Sequence, residues 1–427
     1  MKRFPLLVSV AAVVVCGVIA ACFLLKPANT LSAHDFSSKD QALAIQLSKT
    51  GRSWIDFTPD LGYMVLADAS GKTRAFESGR LSAGAPIWSK TGLFFGGTHS
   101  EFVTTDYETT ALSRDCTPQG ERARYLLDNG ERFLVFYAGA KDAQGNKRSV
   151  LVGDSHGIES ASCEDSYMNV GVCENVLYAV TQTRHASHLL DEARAVYQKQ
   201  SACSAEEAAA VDNFDVLVEL WSENSEAASR VLESFPHDEG ITHAAKEFVR
   251  VGTSIYLLSY AEDNPDASVD NKKDSKAGRA VFEKWDLAAH TRSTLDLVDS
   301  AGEAVDINAD EVDGQKGAAD GATYRFVTRS GKLFSVDMTT GVAQKLYSFS
   351  PRAAGAGAFR FDVTKRAAYA LDIADDDNGP CALSRYVFAT DAYEDLFEVK
   401  GMAPYRKGDV TITGIAVNPS WEEMLGE

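Results

Sequence analysis

The chain has 427 residues, 45% of them hydrophobic, and a formal net charge of −19. That is enough apolar material for a sizeable core, in two or three ordinary domains or one large all-β domain. The acidity argues against nucleic acid as a partner, because a phosphate backbone is held by a basic surface, and against lying on an anionic lipid surface.

Residues 1–26 hold Lys2, Arg3 and Lys26, with no charge from Phe4 to Leu25. Such a run makes roughly 33 Å of helix, enough to cross a hydrocarbon core of about 30 Å. Lys2 and Arg3 favour a cytoplasmic N-terminus, which places the rest of the chain outside. Ile19-Ala20-Ala21-Cys22 also has the form of a bacterial lipoprotein box, which makes Cys22 a lipidation candidate, although Phe23-Leu24-Leu25 follows at once. A transmembrane anchor, a lipoprotein and a cleaved signal stay open, and all three put residues 27–427 on the extracytoplasmic side of the membrane. Residues 27–51 are expected to be a polar tether, and residues 52–427 the folded domain.

From there the chain repeats a small unit: strand, polar turn, strand. "YMVLADASGKTRAF" places an acid at Asp68, "EFVTTDYETTALS" at Asp106 and "SVLVGDSHGIESA" at Asp154. "VLVELWSENSEAASRVLESF" has Ser222 at that point, and three further copies place Asp286, Asp337 and Asp391. These seven landmarks lie 38 to 68 residues apart. A short polar side chain after a strand accepts bonds from the turn's backbone N–H groups, so the landmarks are expected to be structural. Two further strands precede most landmarks. The first of each pair reads "PIWS", "ARYLL", "YMNVGV", "KEFVRV", "NADEV" and "AFRFDV". Each unit is therefore four short strands, A to D, rich in aromatic and β-branched residues.

Seven such units resemble the blades of a β-propeller, and "LFSVDMTTG" (Leu333–Gly341) is similar to the repeat of the YVTN and quinoprotein-like propellers. The resemblance implies an all-β, seven-bladed fold. Blade 1 shows only one strand, "SWIDF", before Asp68, while "DVTITGIAVNPSW" is left over at the C-terminus. If that last strand takes position A of blade 1, the ring closes and strand edges are protected.

In a propeller the B–C and D–A connections share one face. Extended B–C connections occur at 181–213 in blade 4, 261–278 in blade 5 and 374–380 in blade 7. In the first, Leu189, Leu190, Ala193, Val196 and Tyr197 fall at helical spacing, and Ser204 is placed to N-cap a second helix. One expectation is a binding face built from Leu189, Leu190, Tyr197, Asp263, Asp266, Asp375, Asp376 and Asp377. The other is insertion without function, because loop closure entropy grows slowly with length.

Outside the cytoplasm disulfides are permitted. Five cysteines follow the N-terminal segment. Position in the blades favours Cys163 with Cys203, then Cys116 with Cys163, and leaves no bridge at all open. No HExxH, GxxxxGK[ST] or CxxC occurs, and "GDSHG" (Gly153–Gly157) is expected to be a C–D turn. His185 and His188 alone do not make a zinc site. "DDDNG" does not fit an EF-hand register, which leaves an irregular calcium site as the one cofactor to consider. Trp221 and Trp285, at matching C-strand positions, are expected to pack between blades.

Two functions remain. The first is a module that binds a protein or an envelope component. The second is a hydrolase or lyase working in the central channel, for which Glu247, Asp310, Glu311 and Asp362 are the carboxylates to follow.

Overall fold

The structure, a computed structural model, describes residues 29–49, 60–161, 167, 169–223, 229–263, 278–312, 316–351 and 358–426. Seven antiparallel sheets follow one another along the chain. Blade 2 comprises Ile87–Ser89, Gly92–Gly96, Ser100–Thr104 and Thr109–Ser113. Blade 3 comprises Gly120–Leu127, Arg132–Ala138, Val150–Gly153 and Ile158–Ala161, and blade 4 Asn169–Cys173, Val176–Gln182, Phe214–Trp221 and Arg230–Pro236. Blade 5 runs from Ile241–Val251 to Thr291–Asp296, blade 6 from Lys316–Asp320 to Ala343–Ser348, and blade 7 from Ala358–Val363 to Ala392–Val399. The A strands touch one another in ring order, and that of blade 7 touches Val410–Val417, which in turn touches that of blade 2. The protein is a closed seven-bladed propeller.

Val410–Val417 is strand A of blade 1, as closure requires. Its partner is Gln41–Lys49, with Ile45 opposite Ile415. The tether reading of residues 27–51 is therefore corrected: this stretch supplies strand B of blade 1, and Thr30–Leu31 adds a parallel edge beyond Thr73–Glu77. Every residue of Gln41–Lys49 is buried. Its polar members obscure the pattern, and two of them bond to backbone outside the strand. Gln46 donates Nε2 to the Gly96 carbonyl at 2.9 Å, and Ser48 Oγ accepts from the Leu81 N–H. "SWIDF", expected beside Val410–Val417, lies outside the described residues, as does the N-terminal segment 1–26. Among the described residues no helix is long and apolar enough to cross a membrane.

A second correction concerns "NADEV". Ala309–Val312 is a helical turn, and Lys316–Asp320 takes position A of blade 6. Asn308 and Glu311 make reciprocal side-chain-to-backbone bonds at 3.0 Å, a capping arrangement that outweighs strand propensity.

The core lies between blades rather than inside them. Phe76 of blade 1 packs with Phe95 and Phe102 of blade 2, and Phe94 of blade 2 with Phe133 of blade 3. Trp285 of blade 5 is fully buried edge-on to Phe235 of blade 4, as expected, while Trp221 is half-buried beside the core of blades 3 and 4. Each large side chain so buried contributes about 1.5–3 kcal/mol, so the ring holds only if neighbouring sheets stay in contact. The landmark acids do their turn-forming work at Asp68, Asp154, Asp286 and Asp337, each accepting two or more backbone or hydroxyl bonds from the next few residues.

Candidate functional site

The elaborated connection of blade 4 folds as expected and then packs inward. Leu190–Ser201 is a helix, and Ala205–Ala209 is a second, capped by a box between Ser204 and Glu207. Leu189 is 2% exposed, Leu190 packs against the core of blades 3 and 4, and the Tyr197 ring lies 5.4 Å from Phe214. Glu192 and Gln200 accept backbone N–H groups of Val231 and Ser234 on the outer strand of the blade. The apolar stripe thus covers an exposed sheet edge, a recurrent need of β proteins. Of the three residues expected on a binding face, Leu189 is buried, while Leu190 and Tyr197 are half-buried.

The acidic candidates do not converge. Asp263 pairs with Arg279 at 3.2 Å, and Asp266 lies outside the described residues. Asp375, Asp376 and Asp377 are exposed in a turn tied from beneath by Arg406, which donates to the Ala374 and Gly379 carbonyls. Among the described residues no three His, Cys, Asp or Glu side chains are gathered for a metal ion. His185 bonds with Arg184 and His188 with Tyr167. Gly153–Gly157 has the spacing of a nucleophile elbow, but the turn runs from strand to strand and Asp154 holds its backbone. Cys116, Cys173, Cys203 and Cys381 are free thiols, and Cys163 lies outside the described residues.

The site that does emerge is the mouth of the central channel, a chamber of about 560 Å³ lined by A strands and the connections entering them. Three of those strands are irregular at a residue that lines it. On Gly120–Leu127 the pairing jumps from Glu121 to Ala123, so Arg122 is the extra residue of a bulge. On Val410–Val417 it jumps from Ile412 to Gly414, leaving Thr413 unpaired in the ladder. On Ile241–Val251 it breaks between His243 and Phe248, and Glu247 sits at the end of the break. Bulges of this kind re-aim a side chain and gather beside functional sites.

The chamber is rich in cations. Arg122, Arg124, Lys316, Arg329 and Arg360 line it, against the carboxylates Glu121 and Glu247. Arg124 is balanced: its Nη2 lies 2.7 Å from Glu121 and 2.8 Å from Glu101, with Arg114 completing the pair on Glu101. Lys316 faces Glu247 and Asp362. Arg122, Arg329 and Arg360 have no carboxylate within ion-pair reach among the described residues. Arg360 donates Nε to the Ile412 carbonyl and Nη1 to that of Phe359, both at 2.8 Å. Burial and the nearby Arg329 charge lower its pKa. Burial pushes Glu247 up to about 7, against the opposing pull of Lys316 and of the Tyr324 hydroxyl, which donates to it at 3.1 Å. Burial likewise raises Asp362, which accepts the Val417 N–H.

Of the four carboxylates followed from the sequence, Glu247 lines the chamber and Asp362 faces the same Lys316. Asp310 is exposed, and Glu311 is engaged with Ser330 and Lys332. The arginines were missed because acids and histidines were the groups sought in the channel. Their signal was present: Arg122 and Arg360 sit in the inner strands of an acidic protein.

A seven-bladed propeller with an open, cation-lined channel mouth is the class this geometry defines. Residues 39–210 match the family described as "YycP, beta-propeller domain", so the first part of the ring is similar to that domain. Comparison with curated proteins gives no match. Among solved structures the chain is similar to the Neurospora crassa Pan2 WD40 domain (11% identity, 80% of this chain and 86% of that chain, TM-score 0.42). It is also similar to a mutant of Synechocystis ACO (10%, 90% and 93%, 0.47) and to the computationally designed Ika8 protein (12%, 86% and 88%, 0.35).

Proposed function

We propose that this chain is a membrane-anchored, extracytoplasmic β-propeller that binds a protein or envelope component, with the channel mouth as the seat of recognition. The observation that carries the reading is the coincidence of three inner-strand irregularities with one chamber: Arg122, Thr413 and Glu247 are all re-aimed toward the same space. The uncharged run from Phe4 to Leu25 behind Lys2 and Arg3 supports the anchor and its orientation. The similarity of Leu333–Gly341 to YVTN and quinoprotein-like repeats belongs to the same proposal. A bridge between Cys163 and Cys203 would suit that compartment.

Two experiments test it. A C-terminal tag on the full chain is expected to be cleaved by protease added to intact cells or spheroplasts, and protection of the tag contradicts the placement. The purified chain incubated with envelope extract is expected to retain a component that Thr413→Trp, which plugs the mouth, does not. Equal recovery from both proteins, or none from the wild type, contradicts the site.

A second reading, a hydrolase or lyase in the same channel, is favoured by Glu247, a carboxyl at the chamber wall whose pKa of about 7 suits proton transfer. It requires turnover of the bound component that Glu247→Gln abolishes while binding persists.

A further inference from the structure

We infer that the channel mouth binds a small organic oxyanion carrying two or more negative charges, on phosphate or carboxylate groups, gripped by Arg122, Arg329 and Arg360. The inference rests on the reading of the mouth as the ligand seat and adds the chemistry of what sits there.

The chain carries −19 overall, yet this chamber concentrates guanidinium groups. Buried arginines elsewhere are mostly paired with acids, Arg406 excepted, which donates to the Ala374 and Gly379 carbonyls. Arg114 and Arg124 share Glu101 and Glu121, and Arg292 bridges Asp215 and Glu283. At the mouth that practice stops. Arg122 and Arg329 are exposed and Arg360 is half-buried, and these cations from three different blades face one chamber with no carboxylate in ion-pair reach among the described residues.

Geometry adds to this. Arg122 is the extra residue of the bulge, which parts it from Arg124 and its acidic partners, and it lines the chamber exposed. Arg360 spends two donors on backbone carbonyls, which fixes the plane of its guanidinium and leaves Nη2 unspent among the described residues. On the same wall Arg124, about 1% exposed, keeps a buried Nη1 without a hydrogen-bond partner. A rigid, partly used guanidinium fork matches the paired oxygens of carboxylate and phosphate. A volume of about 560 Å³ suits a small-molecule ligand.

The test is calorimetric titration of the detergent-solubilised full chain with pyrophosphate and, separately, citrate at low salt, with sucrose as a neutral control. Saturable binding of at least one anion is expected, weakening as salt is raised, with no binding of sucrose. A preference for pyrophosphate assigns a phosphate ligand, and a preference for citrate a polycarboxylate. Arg122→Met and Arg360→Met are each expected to weaken binding about tenfold. Arg122 makes no side-chain bond among the described residues, so its variant keeps the test valid if Arg360→Met folds poorly. No saturable binding of either anion, or binding unchanged in Arg122→Met, overturns the inference. If both anions fail while Thr413→Trp still releases the envelope component, the charge inference falls and the binding reading stands.

Discussion

Arg122 and Arg124 stand two residues apart on one strand and live in opposite circumstances. Arg124 is sealed between blades 2 and 3, held by Glu101 and Glu121 and stacked over Phe133. Arg122 is exposed and lines the channel with no acid beside it among the described residues. The bulge separates them: it brings Glu121 and Arg124 to one side, although an odd spacing would put them on opposite faces of a regular strand, and turns Arg122 away. The difference teaches that this propeller uses arginine in two ways, as a clamp between blades and as an unspent charge at the mouth.

The largest expected effect lies in the clamps. Arg124→Met strands the buried Glu121 carboxylate, takes one of two cations from Glu101, and is expected to cost about 3–5 kcal/mol, read by chemical denaturation. A loss below about 1 kcal/mol would erase the distinction between the two arginines. The seam between blades 4 and 5 repeats the device. Arg292 reaches Asp215 at 2.7 Å and Glu283 at 2.5 Å while lying over Trp285, and His237 holds the other Asp215 oxygen. Arg292→Met is expected to fall in the same range by the same assay.

A middle-sized effect is expected at the mouth. A bound anion at 100 times its dissociation constant stabilises the folded state by about 2.7 kcal/mol. Pyrophosphate or citrate is therefore expected to raise Tm in the wild type and not in Arg360→Met. An equal rise in both would place the anion elsewhere.

A smaller effect is expected at Glu247. It is faced by Lys316 from strand A of blade 6, Tyr324 from strand B of blade 6, Tyr125 from blade 3 and Asp362 from blade 7. Its folded pKa, about 7, lies above the ordinary glutamate value. The stability it contributes is thus full below the ordinary value and is lost as pH rises through 7. The stability of Glu247→Gln relative to wild type is expected to rise between pH 5 and 8, on the order of 1 kcal/mol after solvent screening at the half-open site. Anion binding to the wild type should weaken over the same interval, because ionised Glu247 adds negative charge to the chamber. A flat difference across that range contradicts the assignment. The smallest effect is Arg122→Met on stability, expected within about 0.5 kcal/mol.

The blades were legible in the sequence because a turn acid recurs after each third strand, and the closing strand because one unit lacked a member and the end of the chain had one to spare. Gln41–Lys49 was not legible. Gln41, Gln46, Ser48 and Lys49 break the apolar alternation, and only the fold reveals that Gln46 reaches the Gly96 carbonyl and Ser48 the Leu81 N–H. Asn308 and Glu311 carried a capping signature that a strand reading of "NADEV" passed over. The helix at Leu190–Ser201 could be read from its spacing, but the sheet edge it covers could not. The mouth was least legible of all. Its composition depends on strand register, and a one-residue bulge decides whether an arginine enters a seam or the channel.

The most direct test of the central claim is a crystal of this protein soaked in selenate, an oxyanion whose position is read from anomalous scattering. The account predicts a peak in the channel mouth within hydrogen-bond reach of Arg360 and of Arg122 or Arg329. A mouth without such a peak, while selenate occupies other surfaces of the same crystal, would contradict it.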